Sequence, residues 1–268
     1  MTLFAADRPA DGRFTVLATE NHFQGRIFSV RVDTLRMPGG GSARREIVDH
    51  MRAVAVVALD DVGRVVLVEQ YRHPLRRRLW EIPAGLMDLG GESPLACAQR
   101  ELCEEVGLAA ENWSVLVDLA SSPGYSTEAV RVYLATGLTA VERPAAEDEE
   151  ADMRVVRVAL GDAVGAAFDG RIVDASTVAG LLAAGWAGDA GRGGGMSLRP
   201  GDDPWTDSPA LVNEAAAIGD APDLGGTVGL GSVVDSGAAE PAPGGVAVRD
   251  TLGGGAVNSV IPETAPDR

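Results

Sequence analysis

The sequence predicts an α+β fold: a mixed β-sheet covered by helices, preceded by a small β lobe and followed by a disordered tail. Three observations predict it. Short apolar, β-branched runs are numerous; helical patterns are few and do not alternate strictly with them, which argues against a doubly wound nucleotide fold. Composition then changes near residue 188. The chain accordingly divides into an N-terminal β lobe (1–50), a main domain (51–187) and a tail (188–268).

Taken in order, residues 12–50 hold the strand-like pieces FTVLAT and GRIFSVRVDTLRM and end in PGGGSARR. AVAVVALDDVGRVVLVEQ (53–70) reads as two buried strands across Asp60, Asp61 and Gly63, a hairpin placed mid-sheet. Further strands are predicted at 80–83, 113–120, 129–135 and 153–160, and helices at 94–106, 162–168 and 175–186. In the first helix Ser93 can cap free amides, Pro94 suits the first helical position, and Gly107 ends it. From Gly188 onward the tail holds 17 of the 34 glycines and 8 of the 15 prolines. It would bury too little apolar surface to offset the cost of ordering its backbone.

Composition narrows the function. A net charge of −16 opposes general affinity for nucleic acid or anionic membrane, both of which need a positive field. With that charge a polyanionic substrate needs locally placed Arg or a bridging cation; that all 23 basic residues are arginine carries no functional weight. The first residues, MTLFAADRPADGR, contain no apolar signal core, and no apolar run is long enough to span a membrane, so a soluble, cytoplasmic protein is expected. Cys97 and Cys103 lie about 9 Å apart along one predicted helix, beyond disulfide reach. The three histidines, His22, His50 and His73, offer no zinc spacing.

The decisive stretch is AGLMDLGGESPLACAQRELCEEVGL (84–108). At about 100° per residue, Leu95, Ala98, Leu102 and Val106 line one helix face while Glu101, Glu104 and Glu105 crowd another. These acids occupy the C-terminal turns, where the helix dipole disfavours anions. A solvated acidic face is the plain alternative. A hard divalent cation would offset the repulsion, because carboxylates at i, i+3 and i+4 can converge on it.

This stretch resembles the signature of the Nudix hydrolases, with Gly85 opening it and RELCEEVGL closing it through Leu108. One spacer departs: six residues, Leu86 to Gly91, stand where the pattern has five. The resemblance implies a Nudix-like α/β/α sandwich and hydrolysis of a nucleoside diphosphate linked to another group. It assigns Glu101 and Glu105 as chief metal ligands, with Glu104 assisting and the Ala84 carbonyl a further ligand, for Mg²⁺ with Mn²⁺ as substitute. Arg100 would brace the loop through an acid such as Glu92.

VEQYRHPLRRRLWEIPAG (68–85), with Pro123 of SSPGYS, is similar to the ADP-ribose pyrophosphatase branch, which gives AMP and ribose 5-phosphate. On that resemblance Arg72 contacts phosphate or ribose, or else forms a strand-end ion pair. Glu81 binds base or ribose, or else an inter-strand partner. Glu128 is a substrate-side acid, and Arg76, Arg77 and Arg78 add positive charge. The general base is expected in AAEDEEADMRV (145–155), as Glu149, then Glu150 and Glu147, with the box acid Glu104 as the other catalytic candidate. Phe23 and Phe28 are candidates for an adenine slot, or for core packing. A homodimer in which the lobe covers the partner's site is also implied. The alternatives are hydrolysis of another derivative, such as a sugar nucleotide, and a non-catalytic nucleotide-sensing module. Retention of all three box acids favours an enzyme.

Overall fold

The structure is a computed structural model that describes residues 12–144, 152–188 and 197–205. These all belong to the first of two units into which the chain divides, Met1–Gly219. The acidic stretch 145–150, with Glu147, Glu149 and Glu150, lies outside the described residues, as does most of the tail.

The N-terminal region is an antiparallel meander of β1 (Thr15–Gln24), β2 (Phe28–Arg36) and β3 (Ser42–His50). All ten residues of β1 are exposed. β3 is tied to the loop at 125–127: the Val48 amide donates to the Tyr125 carbonyl (2.8 Å) and the Thr127 amide to the Val48 carbonyl (3.0 Å).

Two further sheets form the main domain. The larger orders β11 (Arg199–Pro200), β8 (Leu108–Ala120), β9 (Ala129–Ala140), β4 (Ala53–Ala58) and β7 (Ala84–Leu86). It is mixed, since β4 runs parallel to β9 and antiparallel to β7. The smaller orders β10 (Arg154–Ala159), β5 (Arg64–Arg72) and β6 (Arg77–Glu81).

β4 shows how the layers arise. Val54, Val56 and Ala58 pack with Cys97, Ala98 and Leu102 of α1 (Pro94–Val106). The alternate residues Ala55 and Val57 pack with Ala163 and Ala166 of α2 (Leu160–Phe168) and Leu181 of α3 (Ala175–Gly188). Period-two alternation with both faces apolar thus yields helices on either side, the α/β/α arrangement.

The hairpin expected over 53–70 requires correction. Asp60 makes a tight turn, its Oδ1 accepting from the Val62 (3.2 Å) and Arg64 (2.8 Å) amides. Beyond the turn the two runs meet at the isolated Leu59–Val65 bridge, and β4 and β5 then diverge into different sheets. Both strands are interior, as expected, but they are interior to separate sheets. Strands apolar on both faces carry no mark of which neighbour they pair with. β3, β7 and β11 lie outside the strands expected from sequence, and β11 places Arg199–Pro200 of the expected tail in the sheet.

Among the described residues no helix is long and apolar enough to cross a membrane. Leu181 is fully buried where α3 meets the sheet. Leu181→Ala is therefore expected to cost about 2–5 kcal/mol in chemical denaturation; a loss below about 1 kcal/mol would contradict this packing.

Candidate active site

α1 runs over the residues its end signals mark. The Ser93 hydroxyl accepts from the Ala96 amide (3.1 Å), Pro94 follows, and Gly107 closes the helix at φ +64°. Leu102 packs inward with Val54 and Val56, which leaves Glu101 and Glu105 against the short strand β7.

Gly85 is required there by space. A Cβ on it would lie 2.0 Å from the Glu101 Cδ, so the carboxyl group fills the place a side chain would occupy. Next to it, Glu105 Oε2 accepts from the Ala84 amide at 3.0 Å. Glu101 and Glu105 are 8% and 5% exposed, so these carboxylates are buried at the strand rather than solvated.

Arg100 supplies the counter-charge. Its Nη1 donates to Glu101 (2.7 Å) and Glu104 (2.9 Å), while Nε and Nη2 donate to the two oxygens of Glu92 (3.0 and 3.1 Å). Arg100 Nη2 also reaches the Leu86 carbonyl (3.4 Å), which ties the loop to the helix. The extra loop residue is absorbed in a turn: the Glu92 amide donates to the Leu89 carbonyl (3.1 Å), and Gly91 takes φ +82°. Glu92 therefore still reaches Arg100, whose hydrogen bonds hold its carboxyl below the usual range.

Glu101 behaves in the opposite way. Burial pushes its carboxyl up to about 7, and Glu104 and Asp88 add to the rise despite Arg100. A buried carboxyl that one guanidinium does not fully compensate is a place where further positive charge is stabilised. Among the described residues no three His, Cys, Asp or Glu side chains stand arranged to hold a metal ion directly; Glu101 and Glu104 share Arg100, and Glu105 accepts from the Ala84 amide. The donor chemistry still fits a hard divalent cation: oxygen donors, gathered around the glycine cradle, with excess negative charge.

Arg72 and Glu81 are joined across β5 and β6. Arg72 Nε and Nη2 donate to the Glu81 carboxylate at 2.9 and 2.6 Å, and Gln70 adds a third bond at 3.2 Å. The inter-strand pair is thus what the structure contains. The Glu81 hydrogen bond raises the pKa of Arg72, and Asp174 and Glu105 reinforce it, so Arg72 lies within electrostatic reach of Glu105 on α1. Glu128 is tied through its backbone, its amide donating to Ser126 Oγ (3.1 Å) and its carbonyl accepting from the Ser121 amide (3.1 Å). Arg78 pairs with Asp152, and Arg76 holds a left-handed conformation at φ +52°.

Phe23 and Phe28 are 52% and 36% exposed rather than core residues. Their rings lie 5.5 Å apart, and Phe28 stacks on His50 at 6.4 Å beside an open groove lined by Gly25, Arg26 and Met51.

Asp174 and Thr177 join the site without having been expected from the sequence. Asp174 caps α3, Oδ2 accepting from the Thr177 amide (2.8 Å) and hydroxyl (2.7 Å), and Thr177 Oγ1 accepts from the Ile82 amide (3.0 Å). This pins the turn between Glu81 and Ala84 to α3. An Asp three residues before a Thr at a helix start was the available signal.

Residues 49–176 match the NUDIX domain family. The chain is 49% identical over 200 residues to an ADP-ribose pyrophosphatase of Mycobacterium tuberculosis, covering 75% of this chain and 95% of that protein. It is 40% identical over 162 residues to a methanol dehydrogenase activator of Bacillus methanolicus, covering 60% and 87% of the two chains. The crystal structure of an ADP compounds hydrolase shares its fold, with a TM-score of 0.59 at 24% identity over 69% of this chain and 100% of that one.

The Glu101 environment predicts a pH effect on the metal-free protein. Its folded pKa lies above the ordinary 4.5, so its contribution to stability is full below that value and is lost as pH rises through about 7. In melts with a chelator, the stability of the natural chain relative to Glu101→Gln should fall between pH 5 and pH 8. A pH-independent difference would contradict the assigned burial.

Proposed function

Because the chain belongs to the Nudix hydrolase family, we propose that it is a Mg²⁺-dependent ADP-ribose pyrophosphatase that cleaves ADP-ribose to AMP and ribose 5-phosphate. The observation that carries this reading is the gathering of Glu101 and Glu105 around Gly85, with Arg72 in electrostatic reach. Identity to a protein named ADP-ribose pyrophosphatase, extending over 95% of that protein's length, supports the substrate.

In this proposal the Ala84 carbonyl and the carboxylates of Glu101, Glu104 and Glu105 would hold the ion. When bound, Mg²⁺, or Mn²⁺ in its place, neutralises pyrophosphate oxygens and lowers the pKa of water. The protein's own part is orientation and proton transfer. Arg100 and Glu92 hold the loop to the helix, and Arg72, kept charged by Glu81, faces the diphosphate or its ribose. Glu81, already committed to Arg72, serves as the positioner of that guanidinium. Glu128 stands on the substrate side. Water adds to one phosphorus, its proton passes to Glu149 or Glu150, or to Glu104, and the bridging P–O bond breaks. The exposed Phe23 and Phe28 offer adenine an aromatic slot.

A homodimer belongs to the same proposal. β1 is exposed throughout, and Phe14, Val16 and Leu17 present apolar side chains that a second copy would cover. Sedimentation should give twice the monomer mass, and a monomer at micromolar concentration would contradict it. A cytoplasmic location is part of the same proposal.

The direct assay incubates the protein with ADP-ribose and a panel of sugar nucleotides, with and without Mg²⁺. AMP and ribose 5-phosphate should form fastest from ADP-ribose and only with the ion. Glu105→Gln should lower turnover by on the order of 100-fold or more without loss of fold. Preference for a sugar nucleotide, saturable binding without product, or full turnover in that variant would each count against the proposal.

A further inference from the structure

Beyond the NUDIX match, residues 197–205 lie as a strap along the edge of the larger sheet. Arg199 and Pro200 pair with Val115 and Ser114 of β8. Gly201 passes so close to Trp113 that a Cβ there would meet the Trp113 Cβ at 2.8 Å. Arg199 Nη1 donates to Asp118 (2.9 Å) and Asp203 (3.2 Å). Arg131, 1% exposed, donates to both Asp118 oxygens (2.7 and 3.0 Å) and to the Asp203 carbonyl (2.5 Å).

These ties deliver Trp205 to two guanidinium groups. Its ring centroid lies 5.0 Å from the Arg131 Cζ and 5.2 Å from the Arg52 Cζ. Arg131 is already neutralised and fixed by Asp118. Arg52 has a different consequence, since it stands directly before β4 and its carbonyl accepts from the Met87 amide at 2.9 Å. That bond extends the Ala53–Leu86 pairing by one residue and sets where the loop from β7 to α1 departs. The same loop carries Glu92, and Leu86, at the end of β7 where the loop begins, gives its carbonyl to Arg100.

We propose that Trp205 is a positioning residue: by holding the Arg52 guanidinium against its ring it steadies the Arg52 carbonyl on the Met87 amide, and so fixes the loop that leads into the carboxylate helix. An indole face attracts a guanidinium electrostatically, and the strap, bolted through Asp118, keeps the ring in place. Residues outside the matched domain thereby complete its site. Any consequence for turnover rests on the hydrolase reading, whereas the ordering of the loop does not.

The test measures hydrogen exchange in the full chain. Trp205→Leu keeps an apolar side chain but removes the aromatic face. It should speed exchange across 86–92 by about tenfold, the scale of one cation–π contact, with α3 unchanged. Arg52→Gln should reproduce the effect, and Trp205→Phe should restore slow exchange. With ADP-ribose as substrate, Trp205→Leu should lower kcat while KM stays within about twofold. If the natural chain cleaves no ADP-ribose, the hydrolase reading fails and the exchange result still decides this proposal. Unchanged exchange at 86–92 would overturn it. So would loss of protection across the whole domain in both Trp205→Leu and Arg52→Gln, or a Trp205→Phe variant as fast as Trp205→Leu.

Discussion

One guanidinium holds the negative charge of this domain in place. Arg100 binds Glu92, Glu101 and Glu104 directly, and Asp88 lies within 3.7 Å of it. Without it, a loop and a helix turn rich in carboxylates would repel one another at the point where they must meet. With it, the loop folds onto α1 while Glu101 stays under-compensated, its carboxyl pushed up to about 7. The site is therefore held together without being neutralised, a condition that suits binding of additional cationic charge.

The remaining architecture keeps that arrangement fixed. β7 is only three residues long, yet it sets Gly85 under the Glu101 carboxyl and offers the Ala84 amide to Glu105. Its approach is governed from both ends: Thr177 of α3 binds the Ile82 amide, and the Arg52 carbonyl binds that of Met87. The sheet thus places a short irregular segment to within a hydrogen bond at each end, which is how a scaffold gives a site its precision.

Some of this was legible in the residues and some was not. α1 could be read to its last residue because Ser93, Pro94 and Gly107 are local signals, and the acids follow from helical periodicity. The bracing of Glu92 by Arg100 followed from the resemblance, and the inserted loop residue did not prevent it. The pairing of β4 with β9 was illegible, since it joins residues far apart in sequence and both strands are apolar on both faces. β11 was hidden in a stretch whose glycine and proline content resembles a tail, and only its ties to Asp118 and Trp113 reveal its place. Arg72 and Glu81 were each singled out, but their union depends on strand register, which no local pattern carries.

If the acidic face of α1 is a cation site beside a glycine cradle, crystals grown with Mn²⁺ should show it by anomalous diffraction. The expected peak is bounded by the Ala84 carbonyl and the carboxylates of Glu101 and Glu105, with Arg100 drawn off Glu101 and still paired with Glu92. A map without density there, or one with Mn²⁺ bound elsewhere while Arg100 keeps both Glu101 and Glu104, would contradict it.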